Sequence, residues 1–390
     1  MTRFAIISEY NPLHAGHAYH LESARRAGAD TITCIMSGNF TQRGEPAVAH
    51  KYTRAQAALA AGADLVLELP FPYAAGSAEA FAAAGVSIAD AAGSDTLFFG
   101  SECGDVELLK AAAHTVNSEQ FKEEYQSLIK TNIGNSAAYA KAYESTVGHP
   151  LPTLSNDLLG IAYCKAILRG EYDLQPLCIK REGAAYRDTQ TGNGYPSATA
   201  LRILLAEHGI EALRPHIPAN VFDIFAQAYH QGEMLCAGSA YDIALLSALR
   251  MQSKEQLSAA AFCASGLGIR IRQAAQEATN VASLVQACAH KSIPDSHVRR
   301  AILYAALGVT EQDLHTPPAY ATVLAANARG RALLGELRRT CPIPLVAKPA
   351  DAPACRQRAL SDRADALYTL AFSAPKSAGF FTKRAPFMQD

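Results

Sequence analysis

Short apolar, β-branched runs alternate with Ala-rich amphipathic stretches as far as Arg181, and there the alternation stops. Phe4-Ala-Ile-Ile-Ser8 reads as a buried strand, and Ala18 to Arg26 has helix-forming composition. Asp30 to Met36, Ala63 to Leu69, Asp95 to Phe99 and Gln175 to Arg181 repeat the strand pattern. Between them, Lys51 to Ala61 and Tyr73 to Asp90 are Ala-dominated helices, and residues 104–146 read as helices outside the sheet. Another helix follows Pro150 and Pro152, with Ser155 as its expected cap, and runs to about Arg169. Strands alternating with helices predict an α/β fold with a doubly wound, parallel five-stranded sheet. Ligands of such sheets sit beyond the carboxyl ends of the strands, where strand order reverses. The loops after the first and fourth strands should therefore be neighbours.

From about Glu211 the strand signals fade. Asn220 to Gly232, Ala240 to Met251, Lys254 to Phe262, Arg270 to His290 and Ser296 to Leu307 have helical periodicity, with Gly and Pro between them. These segments predict an all-α domain. Pro342, Pro344, Pro349 and Pro353 mark residues 342–358 as a linker or wrap-around segment. The expected division is a sheet domain over 1–210, a helical domain over 211–345, and a Pro-rich segment with a tail over 346–390.

Composition narrows the class. With 49% hydrophobic residues and a mean hydropathy of zero, the chain reads as an ordinary globular protein. No apolar run approaches the roughly 18 residues of a membrane span, so no membrane association is expected. The N-terminus enters a strand at once, without a signal segment. Nine scattered cysteines without a Cys-x-x-Cys pair point to a reducing compartment, the cytoplasm, and away from a disulfide framework or a zinc site, and no metal-ligand cluster is visible in the sequence. Charge is uneven: residues 201–390 hold 20 Lys and Arg against 15 Asp and Glu, whereas residues 1–200 hold 15 against 21. Either chance or a polyanion partner for the C-terminal half accounts for that asymmetry.

The chemistry starts at Glu9-Tyr-Asn-Pro-Leu-His-Ala-Gly-His17, between the first strand and its helix. A helix start offers unpaired amides and the positive end of a dipole, so it suits an anion. His14 and His17 can flank one phosphate chain there, and Gly16 lets a base or ribose approach the backbone. A second constellation is Tyr195-Pro-Ser-Ala-Thr-Ala-Leu-Arg202. Ser197 and Thr199 can donate to phosphate oxygens and Arg202 can fork onto them. Topology places Gly100 and Ser101 beside the histidines. Lys180 and Arg181 put two cations at the carboxyl end of the fifth strand, and Asn156 and Asp157, in the first turn of their helix, either cap it or reach a ligand. His14, His17, Lys180, Arg181 and Arg202 are expected to supply the charge of a polyphosphate clamp. In the helical half, Arg270, Arg272, Lys291, Arg299 and Arg300 either form solvated faces or contact phosphate.

These residues resemble the HxGH nucleotidyltransferase superfamily. The resemblance narrows through Glu9 to His20, Ser37-Gly-Asn-Phe40 with Gln42 to Pro46, Gly62 to Val66 with Glu68-Leu-Pro70, Asn156 to Gly160, Lys180 to Gly183, and Ser197-Ala-Thr199 with Arg202. Together they are similar to the tRNA(Met) cytidine acetate ligases, over about residues 1–340. The resemblance implies that acetate attacks ATP to give acetyl-adenylate and pyrophosphate, and that the wobble cytidine of elongator tRNA(Met) takes the acetyl group. It implies that Ile7, Ser8, Glu9, Tyr10, Asn11, His14, Gly16, His17 and His20, with Gly100, Asn156 and Arg181, hold ATP, which normally arrives with Mg²⁺. Residues 1–210 would then be the ATP-binding catalytic domain and 211–345 the tRNA-binding domain, with no role for DNA. Two departures stand out: Tyr186-Arg187 where the family has Tyr-His, and His290-Lys-Ser-Ile-Pro294 where it has a basic-aromatic stretch. Rival readings are an adenylyl transferase for a small phosphorylated acceptor and an inactive RNA-binding protein.

Overall fold

The computed structural model describes residues 1–131, 133–181, 196–235, 240–290 and 293–389. The five expected strands are β1 Arg3–Ser8, β2 Thr31–Ser37, β3 Leu65–Leu69, β4 Thr96–Ser101 and β5 Gln175–Lys180. Three short strands, β6 Ala321–Ala326, β7 Leu345–Val346 and β8 Phe387–Met388, extend the sheet. The order is β5-β4-β1-β2-β3-β6-β7, with β8 also paired to β6. The first five are mutually parallel, and β6 runs antiparallel to β3. Strand order reverses at β1, which pairs with both β2 and β4. The crevice predicted from the winding rule therefore opens between the ends of β1 and β4.

Alternation along the strands builds two layers of core. Phe4, Ile6, Ile32, Cys34, Val66 and Phe98 pack on one face with the helices Ala15–Arg26 and Lys51–Ala60. Ala5, Ile35, Leu65, Leu67, Leu97 and Phe99 pack on the other with Ala78–Ala91 and Ser155–Gly170. The first layer continues without a break into the helical half through Phe222, Phe225 and Leu245.

Three local expectations are corrected. The helix expected from Tyr73 starts at Ala78, because Ser77 caps it by accepting the Ala80 N–H. The single helix expected over Arg270 to His290 is two, Leu267–Glu277 and Val281–Cys288, with Asn280 capping the second through the Ser283 N–H at 2.8 Å. The strand β6 falls in the range that read as purely helical. Its Ala-rich sequence hides it, and tertiary contacts fix it: Asn327 donates to the Asp64 carboxylate at 2.9 Å, and Gly330 lies so close that a Cβ would meet the Asp64 carbonyl at 2.0 Å. The tail also packs inward. Tyr368, Phe372 and Phe381 are buried, and Tyr368 donates to the Ala47 carbonyl at 2.7 Å. Among the described residues no helix is long and apolar enough to cross a membrane.

Candidate active site

The loop after β1 owes its shape to Arg54, which is completely buried. Its guanidinium donates to the carbonyls of Ala49 (2.8 Å), Glu9 (2.6 Å), Ser37 (3.0 Å) and Gly38. One cation thus fastens the ends of β1 and β2 together through four carbonyls. Asn11 accepts the Val48 N–H at 2.8 Å, and Tyr10, buried, holds a left-handed backbone at φ +49°. That conformation is costly for a bulky residue and is kept only where its surroundings impose it.

His14 is the cap of the helix Ala15–Arg26. Its Nδ1 accepts the Gly16 N–H at 3.1 Å, and Nδ1 of His17 accepts the His14 N–H at 3.4 Å. This reciprocal cap stacks the rings with centroids 3.9 Å apart. With both Nδ1 atoms accepting, each neutral ring carries its proton on Nε2. Burial, and then Arg181, pushes the His14 pKa down to about 3. Burial, with His14 and Arg181 beside it, also holds His17 well below the ordinary value. Burial thus opposes the positive charge expected of these imidazoles. They offer neutral N–H donors, and the cations are Arg43, Lys180, Arg181 and Arg202.

The opposite wall is built from β4, β5 and the helix Ser155–Gly170. Ser155 does not cap that helix. The Glu102 carboxylate does, accepting from the Asn156 N–H (3.1 Å), the Asp157 N–H (2.9 Å) and the Asn156 side chain (2.6 Å). Ser101 donates to Asp157 at 2.5 Å, and the Cys103 N–H joins the same oxygen at 3.1 Å. These two predicted site residues are therefore spent on each other, outside the cavity.

The second motif closes the site. Ser197 caps the helix Ala198–His208 through the Ala200 N–H at 3.1 Å. Arg202 reaches back across the sheet edge, donating to the Asn11 carbonyl at 3.0 Å and to Thr199 Oγ1 at 3.1 Å. The two helix starts enclose a cavity of about 220 Å³. Ile7, Ser8, Glu9, Tyr10, Asn11, His14, Gly16, His17, His20, Gly100, Asn156, Lys180, Arg181, Ser197, Thr199 and Arg202 all line it. Sequence reasoning missed Tyr19, Thr41, Gln42, Arg43 and Tyr163, which line it too. The polar, Gly-rich run Ser37 to Pro46 carried a signal for three of them. Among the described residues, His20 Nε2 and Gln42 Nε2 are buried without a hydrogen-bond partner. Orphaned polar atoms around one cavity are what a site for a polar ligand leaves behind.

The predicted basic residues of the helical half divide. Arg270 and Arg272 are exposed on the helix Leu267–Glu277, although Arg270 also donates to the Cys288 carbonyl at 3.2 Å. Arg299 pairs with Glu45 at 3.2 Å, and Arg300 donates to the Gln42 carbonyl at 3.1 Å. Gly44, at φ +74°, lies against the Arg300 backbone, where a Cβ would come within 2.7 Å of its nitrogen. Arg299 and Arg300 therefore clasp the loop that carries Gln42 and Arg43 into the cavity. Lys291, Tyr186 and Arg187 lie outside the described residues.

A sequence model of the family described as HIGH Nucleotidyl Transferase matches residues 1–380. A tRNA(Met) cytidine acetate ligase of Acetivibrio thermocellus is 35% identical over 371 residues, covering 90% of this chain and 89% of that protein. One from Caldanaerobacter subterraneus is 34% identical over 365 residues, with 90% and 89% covered. Among solved structures, apo Thermotoga maritima TmcAL superposes with a TM-score of 0.92 at 28% identity over the whole of both chains. The same protein bound with alpha-thio ATP gives 0.89, again over the whole of both chains.

Proposed function

The chain belongs to the tRNA(Met) cytidine acetate ligase family of HIGH nucleotidyl transferases, and from that premise we propose an ATP-dependent, two-step acetylation of the wobble cytidine of elongator tRNA(Met). It is a ligase. In the first step an acetate oxygen attacks the α-phosphorus of ATP, pyrophosphate leaves and acetyl-adenylate remains. In the second the cytidine N4 amine attacks the acetyl carbon and AMP leaves.

One observation carries this reading: Arg202 of the second motif bonds the Asn11 carbonyl of the first, so both motifs face one cavity. Displacement at phosphorus needs positioning and charge stabilisation more than covalent help. His14 and His17 supply Nε2–H donors to the phosphates, while Lys180, Arg181 and Arg202 balance their charge. Ile7 to His20, Gly100, Asn156 and Arg181 hold the nucleotide. Binding of alpha-thio ATP by Thermotoga maritima TmcAL supports this assignment. Among the described residues no cluster of His, Cys, Asp and Glu could hold a metal, so Mg²⁺ would enter on the nucleotide. Residues 1–210 carry the nucleotide chemistry, and the helices within 211–345 carry tRNA, with exposed Arg270 and Arg272 meeting its backbone. Cytoplasm is the compartment where tRNA and ATP meet.

Pure protein incubated with tRNA(Met), ATP and isotope-labelled acetate should release pyrophosphate and yield labelled acetylcytidine on nucleoside mass spectrometry. A tRNA-independent dinucleotide product would instead favour a small-acceptor transferase.

A further inference from the structure

A cavity proposed for a triphosphate would bind it best if lined by cations and neutral donors alone. This one keeps a carboxylate in its wall. Among the described lining residues Glu9 is the only Asp or Glu, and Arg43, Lys180, Arg181 and Arg202 surround the same space. Its negative charge does not suit the phosphates, so its place among the residues that hold the nucleotide points to a further role.

We propose that Glu9 accepts the proton that the cytidine amine loses when it attacks the acetyl group. The proposal rests on the two-step reading above. Geometry supports it. The Glu9 main chain is held by Arg54 at 2.6 Å, its Oε1 accepts the Gln42 N–H at 2.7 Å, and the residue lines the cavity. Among the described residues, the charged and titratable groups facing it are Arg43 from the Gln42 loop, Arg54 from the helix Lys51–Ala60, Arg202 from Ala198–His208 and Tyr163 from Ser155–Gly170. Burial raises the Glu9 pKa against the Gln42 hydrogen bond and those cations, which makes it a better proton acceptor than an ordinary carboxylate. The imidazoles are poorer acceptors. Burial lowers His14 to about 3 and His20 to about 4, and Nδ1 of His14 and of His17 is already occupied.

In the step itself the N4 lone pair forms the C–N bond to the acetyl carbon. The C–O bond to the adenylate breaks, and its electron pair leaves with AMP. One N4 proton passes to Glu9, which returns it to solvent as products depart. The products are the acetylated cytidine, AMP and one proton.

The test separates the half-reactions in the full-length protein. Acetate-dependent ATP–pyrophosphate exchange reads the first, and single-turnover transfer to tRNA(Met) reads the second. Glu9→Gln keeps an acceptor for the Gln42 N–H but cannot take a proton. It should slow transfer by at least about 100-fold, at least ~10-fold more than it slows exchange, and abolish the acidic limb of the transfer pH profile. Glu9→Asp should retain that limb at a lower rate. Transfer by Glu9→Gln within about threefold of wild type would overturn the proposal, as would equal loss in both halves. A loss mainly in exchange, with a raised Mg²⁺ requirement, would make Glu9 a metal ligand and overturn it too. If wild-type protein performs neither half-reaction, the two-step reading itself falls, an outcome distinct from any defect confined to Glu9 variants.

Discussion

His14, His17 and His20 show how one residue type serves the cavity without bringing charge to it. All three are held below their ordinary pKa, chiefly by burial, with His14 near 3 and His20 near 4. In the unfolded chain they titrate near 6.5, so below that pH the unfolded state binds protons that the folded state refuses. Their contribution to stability is complete above about pH 6.5 and is lost as pH falls toward 4, by up to about 1.4 kcal/mol per pH unit for each imidazole. Urea midpoints measured from pH 7.5 to 4.5 should fall accordingly, and the slope should shrink in His20→Phe. Arg202 acts by geometry as much as by charge, since its fork spans the Asn11 carbonyl and Thr199. Arg202→Lys keeps the cation but cannot make both bonds, so affinity for an ATP analogue should drop about tenfold in calorimetry.

At the scale of elements, the loop from Thr41 to Glu45 decides whether the cavity is complete. It carries Gln42 and Arg43, and the helix Asp295–Leu307 fixes it through Arg299 and Arg300. Arg300→Ala should therefore weaken ATP-analogue binding even without tRNA present, whereas Arg272→Ala, on an exposed face, should affect tRNA affinity alone. Filter binding of tRNA and calorimetry of the nucleotide analogue separate the two. The same contrast shows what the sequence could disclose. β1 to β4 were legible because their apolar runs are bounded by Gly, Pro or polar turns, and the His14-x-Gly-His17 pair was legible because it sits where a strand feeds a helix. Arg54 was not, since an arginine in an Ala-rich helix looks like a solvated face, and only the tertiary fold turns it inward. Glu102 as a helix cap, β6 and the inward aim of Arg300 were hidden for the same reason. Each depends on a partner more than fifty residues away.

Across the whole molecule, the tail holds the parallel sheet and its helices by a buried charge cluster. Lys51 Nζ lies 2.9 Å from Glu68 and 2.7 Å from Asp365, and Asp365 also accepts from Asn39 at 2.8 Å. Asp365 belongs to the helix Arg356–Tyr368, so residues near the end of the chain grip β3 and the helix Lys51–Ala60. That second helix also carries Arg54, which holds Glu9 in the cavity wall. Stability and site geometry are therefore coupled through one helix. Removing the lysine leaves two buried carboxylates without their cation, a loss of about 3–5 kcal/mol, while replacing the whole cluster with apolar residues is often neutral. Lys51→Ala should lower the urea midpoint by that measure and weaken ATP-analogue binding with it. The triple change Lys51→Met, Glu68→Leu and Asp365→Leu should recover most of the stability. If the cluster serves stability alone, the triple variant recovers nucleotide affinity as well. If its charges also set the register of Arg54, affinity stays low while the midpoint returns, and paired unfolding and calorimetric measurements on the two variants decide between these outcomes.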